Sequence, residues 1–310
     1  MTRIVRVGDG IPTLGPATVA LGVFDGVHLG HQSLVRDAVA QATVRGAGSC
    51  VLTFDRDPDQ VVEPDRAARQ LMTLDDKIAA LAELGPDAVL VVPFTEALAS
   101  LTPESFLRQI VLASVTPVTC IVGHDFRFGN RAAGDVATLR ELGARYGFDV
   151  IARDLLAVDG APVTSSRIRD LVAGGDVVAA ARLLGRLHRV AGEVVHGRGE
   201  GYALGTPTAN IRTEPFAAVP ADGVYAAFAT LRGERFPAAV SLGVPPTFPE
   251  ATDICEAHLI GYDGPPFYGE HVTLEFVERL REQRRFASDA ELAAAIAADV
   301  RRAARLLGAE

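Results

Sequence analysis

Between about residues 17 and 184, short apolar runs alternate with longer stretches whose apolar positions recur at helical spacing. The runs fall at 18–22, 50–54, 88–93, 119–123 and 149–152, and the helical stretches at 34–45, 74–84, 103–115 and 136–146. Strand and helix in alternation predict βαβ units and a doubly wound, mainly parallel sheet. In such sheets ligands bind beyond the carboxyl ends of the strands. After residue 187 the rhythm changes. Runs at 189–195, 208–212, 224–230, 236–242, 254–260 and 272–277 read as strands, separated by Gly/Pro-rich turns such as 196–205 and 243–249. Close-set strands without intervening helices predict an antiparallel barrel or sandwich. A closing helix is expected over about 289–307, with Ser288 as its N-cap.

Length agrees with this division: 310 residues suggest two domains, expected here at 1–186 and 187–310. The composition, 48% apolar and 22% charged, is that of an ordinary globular protein. The net charge of −9 is shared, with 18 basic and 22 acidic residues before position 187 and 12 and 17 after it. Neither half has the basic surplus that a nucleic-acid backbone demands. No apolar run approaches membrane-spanning length, and the N-terminus lacks a secretory pattern. Cys50, Cys120 and Cys255, odd in number and widely spaced, read as reduced, buried thiols. The expectation is a cytoplasmic protein with small-molecule ligands; whether it forms a homo-oligomer stays open.

Of the 30 basic residues, 29 are arginine and Lys77 is the sole lysine. That excludes a Gly-Lys-Ser/Thr phosphate loop and a kinase-type strand lysine. Lys77, early in a predicted helix, is expected to be solvated. Any phosphate chemistry must then use backbone amides, histidine, arginine and a metal ion.

Two segments offer such groups. Gly22-Val23-Phe24-Asp25-Gly26-Val27-His28-Leu29-Gly30-His31 joins the first apolar run to the first helical stretch. A helix N-terminus presents unpaired N–H groups and partial positive charge to an anion. His28 and His31, three apart across Gly30, can both address one transferring phosphoryl group. The second, from Gly197 to Asn210, is a glycine-rich loop running into a strand and containing Gly199, Gly205 and Pro207. Thr208 and Asn210, two apart on that strand, share a face and offer hard oxygen ligands suited to Mg²⁺. Taken alone, each segment is also compatible with an ordinary polar turn.

The first segment resembles the motif of the His-x-Gly-His nucleotidyltransferases, and in its fuller form that of the prokaryotic bifunctional riboflavin kinase/FAD synthetases. Gly123-His124-Asp125-Phe126-Arg127-Phe128-Gly129 and Thr164-Ser165-Ser166-Arg167-Ile168-Arg169 are similar to two further segments of that family. So are Gly205-Thr206-Pro207-Thr208-Ala209-Asn210, Pro220-Ala221-Asp222-Gly223-Val224-Tyr225, Glu256-Ala257-His258, Phe267-Tyr268-Gly269 and Leu280-Arg281. The resemblance implies a Rossmann-like nucleotidyltransferase domain followed by a six-stranded Greek-key barrel. It implies two reactions with ATP: phosphorylation of riboflavin to FMN, and adenylylation of FMN to FAD with release of pyrophosphate. By the same resemblance, His28, His31 and Arg169 stabilise the transferring adenylyl group, and Glu256 is the base of the kinase. Gly22, Phe24, Asp25, Gly30, Asp125, Phe126, Ser165, Ser166, Arg167, Gly199, Gly205 and Pro207 would contact nucleotide. Tyr268 and Arg281 would contact flavin, and Thr208 and Asn210 would hold Mg²⁺.

The chain departs from the family at several points. Asp57 replaces the histidine of Phe-Asp-Pro-His-Pro, and Glu200 and Tyr202 replace arginines of the glycine loop. A carboxylate at position 57 would repel phosphates unless it faced Arg56 or a metal. These departures keep alive a divergent paralogue with one activity, or with a modified flavin or another nucleotide as substrate.

Overall fold

Six strands of the first half form one parallel sheet. The computed structural model describes residues 1–7, 14–196, 208–243 and 255–309. By internal contacts the chain divides into two units, Met1–Ser165 and Ser166–Glu310.

In the first unit the strands are β1 (Arg3–Arg6), β2 (Leu14–Leu21), β3 (Gly48–Phe54), β4 (Ala88–Val92), β5 (Val115–Gly123) and β6 (Asp149–Arg153), in the order β1-β4-β3-β2-β5-β6. All pairings are parallel. From β2 the chain proceeds one way to β3 and β4 and returns to the other side with β5 and β6, so the topological switch lies between β2 and β5. The helices include α1 (Leu29–Arg45), α2 (Leu74–Ala82) and α3 (Val136–Tyr146). Buried residues such as Val19, Leu52 and Leu90 face one layer, and Ala20, Val51 and Val89 face the other. That two-sided burial explains the unbroken apolar runs. β1 was not foreseen: Arg3-Ile4-Val5-Arg6 buries only Val5 and carries arginine at both ends, the composition of a short edge strand. α1 begins at Leu29 rather than at the expected 34, because the His28 ring nitrogen Nδ1 accepts the His31 N–H and caps it.

The second unit opens with part of α4 (Ser165–Ala173) and with α5 (Val177–Leu184). A closed antiparallel barrel follows, built from β7 (His188–Val195), β8 (Ala209–Thr213), β9 (Gly223–Leu231), β10 (Glu234–Leu242), β11 (Cys255–Leu259) and β12 (His271–Arg281). Its order is β8-β11-β10-β9-β12-β7, which decides for the barrel over the sandwich. Inside it, Val190, Ile211, Tyr225, Val240, Ala257 and Phe276 pack together, joined by Val177 of α5. Gly192 belongs to this wall: a Cβ there would strike the Arg212 carbonyl on β8, so only glycine permits the β7–β8 approach. The terminal helix α6 (Asp289–Leu306) starts at Ser288, whose hydroxyl accepts the Glu291 N–H at 3.3 Å. Val300 and Ala303 of α6 pack outside the barrel on Val224, Ala226, Ala239 and Leu280. The three cysteines are free and buried, and burial pushes each thiol up to about 12. Among the described residues no helix is long and apolar enough to cross a membrane.

Candidate active sites

The first candidate site lies at the carboxyl ends of β2 and β5, at the topological switch. The turn after β2 is held in an unusual backbone conformation. Phe24, Gly26 and Val27 all have positive φ, at 57°, 77° and 35°. A left-handed β-branched residue costs on the order of 1–3 kcal/mol and persists only where its surroundings impose it. Here they do. The Asp25 carboxylate, 4% exposed, accepts the Leu71 N–H at 3.0 Å. The Val23 carbonyl accepts the Thr53 hydroxyl at 2.9 Å, and the Ser165 hydroxyl donates to the Asp25 carbonyl at 2.9 Å.

This frame presents the two imidazoles side by side. His28 and His31 stack with ring centroids 3.6 Å apart and planes 17° from parallel, and Phe24 meets His31 edge-on at 5.2 Å. A Cβ at Gly30 would sit 3.1 Å from the His28 ring, so glycine leaves the space that ring occupies. Both histidines therefore stand at the N-terminus of α1, where an anion is favoured. Asp25 is a buried anchor of this turn. Across the switch, after β5, Asp125 is exposed and Phe126 stacks on Phe128 at 5.4 Å. Ser165 reaches the histidine turn, whereas Ser166, Arg167 and Arg169 continue along α4 within the second unit.

Lys77 corrects the expectation of a solvated side chain. It is 3% exposed, and its ammonium donates to the carbonyls of Phe54 at 2.8 Å and Val23 at 3.3 Å. Burial lowers its pKa, while the charges of Asp57, Asp25 and Asp55 oppose that shift. Asp57 is itself buried, 5% exposed. Arg56 pairs with Asp55 at 3.0 Å, and Asp57 is among the carboxylates whose charge acts on Lys77. Sequence reasoning marks Lys77 as the single lysine beside 29 arginines but places it in solvent, because helical spacing does not show what its face packs on.

The second candidate site is on the outer face of the barrel. Cys255, Ala257 and Leu259 point into the core, so Glu256 and His258 point outward. Antiparallel pairing sets Asn210 of β8 directly opposite Glu256 of β11, and Ser241 of β10 opposite Glu256 on its other side. Directly opposed residues share a face with Cβ atoms about 5 Å apart, so three polar side chains form one row. Asn210 is 8% exposed, and its carboxamide oxygen is buried with no hydrogen-bond partner among the described residues. An acceptor left unsatisfied in this way costs about 1–3 kcal/mol unless a ligand engages it. A buried amide oxygen two residues from the Thr208 hydroxyl is a donor set that fits Mg²⁺. Ser241 accepts a hydrogen bond from Gln283 at 2.8 Å, and the same amide reaches the Leu242 carbonyl at 3.0 Å. Neither residue was singled out from sequence, because the register that places Ser241 beside Glu256 is not local information.

Tyr268 is 52% exposed and stacks on His196 at 3.8 Å. Arg281 is engaged with α6, its guanidinium binding the Asp299 carboxylate at 2.8–3.2 Å. Gly199, Gly205 and Pro207, like Glu200 and Tyr202, lie outside the described residues.

Two family models match the chain: FAD synthetase over residues 11–167 and riboflavin kinase over residues 184–307. The chain is 37% identical over 290 residues to a bifunctional riboflavin kinase/FMN adenylyltransferase of Pseudomonas fluorescens, covering 93% of this chain and 92% of that one. Proteins of the same description from Escherichia coli K12 and Bacillus subtilis 168 are 33% and 34% identical, over 91% and 93% of this chain and 90% and 92% of theirs. A crystal structure described as a macrolide-efflux protein from Streptococcus pneumoniae superimposes with a TM-score of 0.83 at 28% identity, over 96% of this chain and 97% of that one.

Proposed function

The chain belongs to the bifunctional riboflavin kinase/FMN adenylyltransferase family, and from that premise we propose which residues carry each reaction. The adenylyl transfer takes place at the end of β2. A phosphate oxygen of FMN attacks the α-phosphorus of ATP, the bond to the β-phosphate oxygen breaks, and pyrophosphate leaves. His28 and His31 donate hydrogen bonds to the charge on the transferring group, preorganised by the stacking and the cap. Arg169 adds a guanidinium to that charge. Gly22, Phe24, Gly30, Asp125, Phe126, Ser165, Ser166 and Arg167 border the nucleotide, and Asp25 holds the turn.

The kinase reaction takes place at the β8–β11 row. Glu256 accepts the proton of the ribityl 5′-hydroxyl as its oxygen bonds to the γ-phosphorus of ATP and ADP departs. Thr208 and Asn210 would hold Mg²⁺, which neutralises charge on the ATP phosphates when bound. Tyr268 and Arg281 are assigned to the flavin by the family resemblance. The observation that carries this reading is the buried Asn210 oxygen, without a hydrogen-bond partner among the described residues, on the residue paired in register with Glu256. The flavin and nucleotide substrates, small soluble metabolites, support a cytoplasmic location.

Incubation of the full chain with Mg-ATP and either riboflavin or FMN, with products separated by chromatography, tests the assignment. FMN and FAD should form from riboflavin, and FAD from supplied FMN. Without added Mg²⁺ both conversions should stop. Formation of neither product would overturn the reading.

A further inference from the structure

The single lysine occupies a position that none of the catalytic assignments uses. β2 and β3 lie side by side, and the chain leaves their carboxyl ends in two turns, 22–28 and 54–58. Lys77 of α2 reaches across and donates to one carbonyl from each turn, Val23 and Phe54. The same region of chain holds the histidine turn a second time, through the Leu71 N–H on Asp25. Thr73 fixes the approach of α2, its hydroxyl accepting the Asp76 N–H at 3.1 Å and donating to the Asp76 carboxylate at 2.9 Å. Lys77 thus bonds the carbonyl that immediately precedes the positive-φ residues Phe24, Gly26 and Val27.

We propose that Lys77 is a positioning residue of the adenylyl-transfer site. Its ammonium, bonded to the Val23 and Phe54 carbonyls, fixes the turn that delivers His28 and His31. The inference rests on the assignment of FMN adenylylation to the first unit. Compact charge at the tip of a flexible stem suits this task better than the wide, planar arginine fork, which explains a lysine where every other cation is arginine. Asp57, buried nearby, adds a carboxylate charge that favours the ammonium form of Lys77.

The test is Lys77→Met in the full chain, assayed for both conversions beside thermal melts. A small displacement of catalytic groups costs up to about 10²-fold in rate. The kcat for FAD formation from FMN should fall roughly 10- to 100-fold, with the KM values for ATP and FMN little changed. Riboflavin phosphorylation should stay at the wild-type rate. If Lys77→Met gives no cooperative melt, Lys77→Met/Asp57→Asn removes charge and countercharge together and carries the same test. The double variant should remain slow, because the Phe54 carbonyl has lost its ammonium partner and Val23 keeps only the Thr53 hydroxyl. Wild-type kcat for FAD formation in either folded variant overturns the proposal. So does an equal loss of both activities, or failure of both variants to fold, since each would make Lys77 a general stabiliser. If the wild-type chain makes no FAD, the assignment of the first unit fails, and not the role of Lys77 alone.

Discussion

At the residue scale, the two activities depend on side chains that can be removed independently. His28 and His31 are assigned to one phosphoryl centre, and loss of one preorganised donor costs about 2.7–4 kcal/mol of transition-state stabilisation. His31→Ala should therefore slow FAD formation roughly 10²- to 10³-fold while FMN formation from riboflavin continues. Unchanged FAD synthesis in the His28→Ala/His31→Ala double variant would remove the histidines from the mechanism. His28→Ala should additionally loosen the start of α1, because its ring caps that helix. Glu256→Gln makes the reciprocal cut. It keeps the size and reach of the side chain but cannot take up the hydroxyl proton. FMN formation should drop about 10²- to 10⁴-fold, with conversion of supplied FMN to FAD unaffected. Equal kinase activity in the variant would place the base elsewhere.

At the scale of elements, His188 makes the barrel sensitive to acid. It begins β7, is 1% exposed, and its Nε2–H donates to the Ala218 carbonyl at 2.7 Å, tying that strand to the connection before β9. Burial lowers its pKa from 6.5 to about 4, outweighing the Ala218 hydrogen bond that favours the charged form. The unfolded chain therefore binds the proton more readily than the folded one. The stability from a neutral His188 is complete above about pH 6.5 and is lost progressively as pH falls toward 4, at about 1.4 kcal/mol per unit. Between pH 7 and 5 the barrel should lose about 2 kcal/mol through this group. Denaturant titrations of the second unit at those two pH values check it, and His188→Gln should show a flatter dependence. An unaltered slope in that variant would acquit His188. The element boundaries also show how far local patterning reaches. α3 falls at 136–146 as its spacing predicts, and Ser288 caps α6 as expected. β1 escaped because a four-residue edge strand with arginine at both ends has too few apolar positions to register.

At the scale of the molecule, the contact division at Ser165/Ser166 assigns α5 to the barrel unit. Val177 of α5 belongs to the barrel's core cluster, and Ala180, Leu183 and Leu184 on the same helix are buried. A fragment of residues 166–310 should accordingly melt cooperatively and phosphorylate riboflavin without the first half. A fragment of 187–310 loses that helix and should melt lower, by several degrees for each kcal/mol of burial removed. Equal melting temperatures for the two fragments would show that α5 contributes nothing to the barrel.

The sequence alone determined the two rhythms, the parallel sheet of the first half, the closely spaced strands of the second, and the motifs around His28, Thr208 and Glu256. Those are local patterns: period, turn residues and short-range spacing. Strand periodicity left barrel and sandwich open; the family resemblance implied the barrel, and the tertiary pairing bears it out, because closure depends on which distant strands pair. Tertiary structure alone set Asn210 against Glu256 and brought Ser241 beside them, since register joins residues 46 and 15 positions apart. It also turned Lys77 from an expected surface charge into a buried tie between two strand ends. Helical spacing describes which face of α2 a residue occupies. Only the packing of that face reveals the two carbonyls and the carboxylates awaiting it, 23 and 54 residues away along the chain for the carbonyls.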